Sequence, residues 1–169
     1  MIILTGVPKL ETDQLTLKMI EYQDAKSMFE NLTSDERITD KRISPAHQSI
    51  SETVKRLNTI IELNEMRNHC FWGIFLSESG DLIGEIDLYN FDYTTGNCEV
   101  SYSIGYQWWN QGFGTEALRA VIYFAFKKMN VNKVSATHNT DNPASGAVLS
   151  KVGMKQEGVL RRGIMNAKK

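Results

Sequence analysis

The sequence predicts an α+β (mixed α/β) domain, and three observations carry that prediction. Between Cys70 and Ile104 lie three successive strand-like runs separated by short turns, the pattern of an antiparallel meander. Downstream the pattern changes to a long helical period, a short strand and a second helix. No repeat, low-complexity tract or Pro/Gly-rich linker divides the chain, so residues 1–169 read as one domain.

The totals set the bounds. A length of 169 residues lets a single domain bury roughly 70% of the surface its unfolded chain exposes. A net charge of −1 gives no general attraction for nucleic acid or an anionic membrane, so neither is expected as a partner. No run reaches the roughly 20 apolar residues of a membrane helix. Met1-Ile2-Ile3-Leu4 is too short for a signal peptide and lacks a basic leader, so the expected compartment is the cytoplasm. Cys70 and Cys98 stand alone in strand-like runs and read as thiols. His47, His69 and His138 are scattered without ligand spacing, so no metal site is expected. Asn31-Leu32-Thr33 matches a glycosylation sequon by chance.

Taken in order, Leu15–Met19 alternates apolar and polar and reads as a strand. Ala25, Met28, Phe29 and Leu32 follow at helical spacing, and Thr33–Gln48 is charged and irregular. Ser49 and Glu52 form a capping-box pattern ahead of a helix to about Met66, with Ile50, Val54, Leu57 and Ile61 on its apolar face. Cys70–Leu76, Leu82–Tyr89 and the stretch carrying Val100, Tyr102 and Ile104 make the meander, with turns at Ser79-Gly80-Asp81 and Thr94–Asn97. A symmetric second hairpin pairs Tyr89 with Glu99, Asp87 with Ser101 and Glu85 with Ser103 on one polar face. A helix from about Thr115 to Met129 carries the stripe Leu118, Val121, Ile122, Ala125 and Met129. Lys133–Thr137 is a short strand, Ala144–Val152 a helix stopped by Gly153, and Lys155 to about Met165 a final strand.

The chemistry concentrates in Tyr106–Ala117, which leaves a strand and opens the strongly periodic helix. The first N–H groups of a helix lack partners and carry partial positive charge. Glycine at such a junction admits a phosphate group close to the backbone. The Lys-Ser/Thr of a nucleotide-triphosphate loop is absent after Gly112 and Gly114, and so is the third glycine of a dinucleotide fingerprint. Alone, the two glycines are equally well a tight turn.

Trp109-Asn110-Gln111-Gly112-Phe113-Gly114 resembles the acyl-CoA pyrophosphate loop of the GNAT superfamily, [RQ]-x-x-G-x-[GA], with Trp at the Arg/Gln position. Leu10-Glu11-Thr12-Asp13-Gln14-Leu15-Thr16-Leu17-Lys18 is similar to the opening strand of the ribosomal-protein N-terminal-alanine acetyltransferase subgroup, and Glu99-Val100-Ser101-Tyr102 to its EIGY strand. Asn142-Pro143-Ala144-Ser145 with Val148–Met154 is similar to its N-x-x-S…VLxKxGF segment. The likeness spans about residues 10–165 in the family's order.

That resemblance implies a mostly antiparallel twisted sheet flanked by helices. The sheet splays between the family's fourth strand, here ending at Ile104, and its fifth, here at Lys133. It implies acetyl-CoA as co-substrate and direct attack by a primary amine (a protein N-terminus, a polyamine or a small amine) in a ternary complex. Gln111, Gly112, Phe113, Gly114 and Thr115 would hold the pyrophosphate. Backbone groups around Ser103, Ile104 and Gly105 would pair with the pantetheine arm, and Asn142 would bind its amide. Ser145 would protonate the departing thiolate or hold a water that does. For the general base the candidates are Glu99, with family support, and Glu85, by position; the alternative for each is an ordinary cross-strand pair.

The family's seventh strand has no counterpart, and an unpaired sixth-strand edge leads to the expectation of a homodimer. Three readings stay open at this point: an active N-acetyltransferase, an acyl-CoA-binding module without turnover, and a structural protein whose glycine loop is only a turn.

Overall fold

The computed structural model describes residues 2–3, 6–39, 44–66 and 68–161. Six strands form one sheet in sequence order: β1 (Leu10–Glu11), β2 (Leu15–Lys18), β3 (Cys70–Leu76), β4 (Leu82–Asp92), β5 (Asn97–Ile104) and β6 (Lys133–Ser135). Neighbours are antiparallel except β5 and β6, which run parallel. The expected meander is therefore β3–β4–β5. Its second hairpin has the expected register, Tyr89 opposite Glu99, Asp87 opposite Ser101 and Glu85 opposite Ser103.

Helices cover both faces. One core joins Leu15, Leu17, Trp72, Ile74, Ile86 and Leu88 to α4 (Phe113–Lys127) and to Leu149 of α5 (Pro143–Lys151). The other joins Phe71, Phe75 and Leu82 to α1 (Ala25–Met28), to Ile38 of α2 (Glu36–Thr39) and to α3 (Ile50–Glu65). Side chains alternate across a strand, so β3 and β4 serve both cores, β3 buried almost throughout and β4 from Leu82 to Leu88.

Three expectations need correction. The helix expected around Ala25–Leu32 forms, but it is not α throughout. After α1 the chain widens at Phe29–Thr33, closed by the Ser34 N–H on the Phe29 carbonyl five residues back (3.1 Å). In α3 the buried residues are Thr53, Leu57, Ile60 and Asn64, whereas Ile50 is 43% exposed. The inward face is rotated because two polar residues are satisfied inside. Thr53 bonds Thr33 (2.7 Å) and His47 (2.8 Å), and Asn64 bonds both backbone groups of Phe71. Glu52 accepts from the Gln48 N–H (3.1 Å), so its side chain reaches one residue beyond the capping-box position.

The third correction concerns the end of the chain. Gly153 (φ +89°) closes α5, with the Met154 N–H returning to the Leu149 carbonyl at 3.1 Å. From Lys155 to Leu160 no strand forms, and Val159 and Leu160 are exposed at 63% and 77%. Without apolar burial or a ladder partner, nothing there offsets the entropy of ordering an edge strand. The rest of that expected strand, residues 162–165, lies outside the described residues. Among the described residues, β6 is the outer edge of the sheet.

Two features set up the site. Beyond Glu99–Ser135, β5 and β6 pair no further, so among the described residues Val100–Ile104 has no strand neighbour on its β6-facing edge. The start of α4 is tied to the opening loop by Glu116, whose carboxylate accepts from the Thr12 hydroxyl (2.6 Å), the Gln14 N–H (2.8 Å) and the Gln14 amide (2.8 Å). Burial acts to raise its pKa, but those three donors outweigh it and hold the carboxyl below its ordinary value.

Candidate active site

The glycine loop opens α4 two residues ahead of the expected Thr115. Gly112 caps the helix at φ +92°, a conformation that favours glycine. The Glu116 N–H, bonded to the Gly112 carbonyl at 3.0 Å, is the first in the helical ladder. The N–H groups of Phe113, Gly114 and Thr115 therefore stand ahead of it at the positive end of the dipole. A Cβ at Gly112 would meet nothing within 4 Å, so that side of the loop is open. Gly114 differs: a Cβ there would touch Ile104 and Tyr102 at 3.5 Å, so its smallness serves the packing of α4 on β5. Phe113 contributes its N–H to the loop, while its ring is buried in the core. Gln111 is exposed, its amide donating to the Gln107 carbonyl at 2.8 Å. A cradle of successive N–H groups beside open space fits a pyrophosphate.

The fork between β5 and β6 supplies a slot. The Gly105 N–H donates to the Ile83 carbonyl at 2.8 Å, which makes that cross-strand pair hydrogen-bonded. Antiparallel ladders alternate, so the backbone groups of Ser103 and Ser101 also face β4, and those of Ile104, Tyr102 and Val100 face the fork. Of the expected trio Ser103, Ile104 and Gly105, only Ile104 turns its backbone to the slot; Tyr102 joins it. The Ile104 carbonyl is already taken by the Trp109 indole N–H at 2.7 Å. Nearest the glycine loop, that edge still offers the Ile104 N–H and both groups of Tyr102. Gly105 has a packing reason as well, since a Cβ there would lie 2.7 Å from the Trp108 ring and 2.9 Å from the Asn31 carbonyl.

The polar face of the meander is covered by α3, and its carboxylates are partnered. Glu85 is 4% exposed and forms a two-pronged pair with Arg56 at 2.9 and 3.0 Å. Asp87 accepts from His69 Nε2 (2.6 Å) and from the Ser101 hydroxyl. Glu99 lies at the mouth of the fork and accepts from the Asn90 amide at 3.0 Å. Its charge adds to burial in pushing the Tyr89 phenol up to about 12. Burial likewise pushes the Cys70 and Cys98 thiols to about 12, so neither is a nucleophile at neutral pH.

α5 meets β5 at Tyr102. Asn142 caps it, its Oδ1 accepting from the Ser145 N–H at 3.3 Å, with Pro143 in the first turn. The Ser145 hydroxyl lies 3.2 Å from the Tyr102 hydroxyl. Sequence reasoning passed over Tyr102, His69 and Arg56. Tyr102 sits at an apolar-alternating position that reads as core, and the partners of Arg56 and His69 lie on other elements.

Residues 14–155 match the family described as the acetyltransferase (GNAT) domain. The chain belongs to the GNAT acetyltransferase family. It is 32% identical over 155 residues to an uncharacterized N-acetyltransferase, YoaA, of Bacillus subtilis, covering 92% of this chain and 87% of that one. It is 26% identical over 164 residues to the ribosomal protein uS5-alanine N-acetyltransferase of Escherichia coli, covering 91% and 82%. Its fold matches that of a spermidine N-acetyltransferase from Vibrio cholerae, solved with CoA and spermine, with a TM-score of 0.78 at 20% identity over 92% and 89% of the two chains. The protein is a GNAT N-acetyltransferase, with acetyl-CoA as its co-substrate. Among the described residues no helix is long and apolar enough to cross a membrane, and no cluster of His, Cys, Asp and Glu could hold a metal.

Proposed function

We propose that this GNAT enzyme acetylates a primary amine, that of a protein N-terminus, a polyamine or a small molecule, by direct attack in a ternary complex in the cytoplasm. The observation that carries this reading is the fork. Glu99 sits at the last β5–β6 pair and the Ser145 hydroxyl lies beside Tyr102 of the same strand, which supports reading the two as base and acid for a thioester held in the fork.

In this reading the N–H groups of Phe113, Gly114 and Thr115 hold the pyrophosphate, and the Asn142 side-chain N–H groups reach the pantetheine amide. The Ile104 N–H and both groups of Tyr102 pair with the arm as a neighbouring strand would. Acetyl-CoA supplies an activated acyl carbon. Glu99 takes the ammonium proton, directly or through one water, and leaves the amine lone pair free to attack. A fork-facing N–H, of Tyr102 or Ile104, stabilises the oxyanion, an effect worth about 3 kcal/mol per donor in comparable sites. Ser145 delivers a proton to the departing sulfur. Glu85 plays a different part, because its two-pronged bond to Arg56 satisfies its charge and suits it to shaping the acceptor side.

Thiol release from acetyl-CoA across a panel of alanine- and serine-initiated peptides, spermidine and simple alkylamines tests this reading. Release with at least one amine supports it. If acetyl-CoA raises the melting temperature but no amine releases thiol, the protein is an acyl-CoA-binding module.

A further inference from the structure

Tyr102 touches both the glycine loop and Ser145. Its ring lies against Gly114, where a Cβ would be 3.5 Å away, and its backbone faces the fork. Its hydroxyl is 3.2 Å from Ser145 Oγ and 3.4 Å from the Ser145 carbonyl. The phenol is partly buried, and burial, partly offset by the bond to Ser145, keeps it protonated. A buried phenol O–H needs an acceptor, and Ser145 Oγ is the nearer of the two.

We infer that Tyr102 is the positioning residue for thiol departure, its hydroxyl donating to Ser145 Oγ and so turning the serine proton toward the fork. A serine hydroxyl has one proton and rotates freely unless an acceptor or donor fixes it. With Tyr102 donating, Ser145 cannot spend its proton on the phenol. When the tetrahedral adduct collapses, the C–S bond breaks and its electron pair stays on sulfur. Sulfur takes the Ser145 proton, Ser145 Oγ takes the phenol proton, and solvent returns a proton to Tyr102. No oxidant, metal or further reactant enters. The inference rests on the role given to Ser145 in the proposed function.

The test uses the full-length protein and two probes: CoA for binding, and acetyl-CoA with hydroxylamine, a small neutral nucleophile, for thiol release. Ser145→Ala is expected to lower kcat about 100-fold. Tyr102→Phe keeps the ring against Gly114 and is expected to lower kcat roughly 5- to 10-fold, the scale of one hydrogen bond. CoA affinity and melting temperature should stay unchanged in Tyr102→Phe. In the double variant kcat should equal that of Ser145→Ala alone, because the two hydroxyls act in series. Full activity in Ser145→Ala overturns the role of Ser145 and this inference with it. Loss in Ser145→Ala but none in Tyr102→Phe overturns this inference alone, as do additive losses in the double variant. A Tyr102→Phe protein that also loses CoA affinity or stability assigns Tyr102 to packing instead.

Discussion

Replacing Gly112 with Asp places a carboxylate at the opening of α4, where the pyrophosphate is expected to sit. Position 112 has free space around a new Cβ, so the side chain has room, although a φ of +92° strains any residue other than glycine. Asn is the natural control, because Asn and Asp tolerate positive φ alike and differ in charge. At about 5 Å from two phosphate charges, the added carboxylate is opposed by about 1.7 kcal/mol in bulk water and about 7 kcal/mol at an effective dielectric of about 20. The loop is exposed, so the lower figure applies, and about 1.7 kcal/mol corresponds to a roughly 15- to 20-fold weaker Kd. Titration calorimetry with CoA at low and high salt measures it. Asp should weaken binding at least 10-fold more than Asn, with the gap narrowing as salt screens the repulsion. Equal affinities in the two variants would refute a phosphate cradle at Gly112.

Glu99→Gln should lower kcat by about two orders of magnitude or more while leaving CoA affinity intact, which stopped-flow thiol detection and calorimetry separate. Gly105→Ala forces a Cβ to within 2.7 Å of the Trp108 ring; thermal unfolding should show a loss of about 1–3 kcal/mol, the usual range for overpacking. Glu116 is held below its ordinary pKa, so its stabilisation is present above its unfolded pKa and fades as pH falls through the lower folded one. Glu116→Gln should therefore flatten the acid limb of the stability curve, measured by urea unfolding between about pH 2 and 6. Among the described residues β6 has no outer strand neighbour, and an unpaired edge leads us to expect self-association, which sedimentation velocity across a concentration series measures; a monomer throughout would contradict it.

The strands of the meander and the register of Tyr89, Asp87 and Glu85 against Glu99, Ser101 and Ser103 were legible because period-two alternation and a symmetric turn are local signals. The inward face of α3 was not, since Thr53 and Asn64 look outward-facing until Thr33, His47 and Phe71 are seen to satisfy them. The same limit applies at the site. The loop at Gly112 is a contiguous motif and could be read. The Arg56–Glu85, His69–Asp87 and Tyr102–Ser145 pairs join residues 18 to 43 positions apart and exist only once the chain folds. Even the two glycines separate only in three dimensions, Gly112 serving the backbone and Gly114 the contact with Tyr102.

The central claim is that the fork between β5 and β6 supports turnover as well as binding. Following free thiol while acetyl-CoA is mixed with the amine panel, and identifying the acetylated product by mass, tests it most directly. Thiol should be released in step with one N-acetylated amine, with a large loss of that release in both Glu99→Gln and Ser145→Ala. Acetyl-CoA binding with no acetylated amine, or undiminished turnover in both variants, would contradict it.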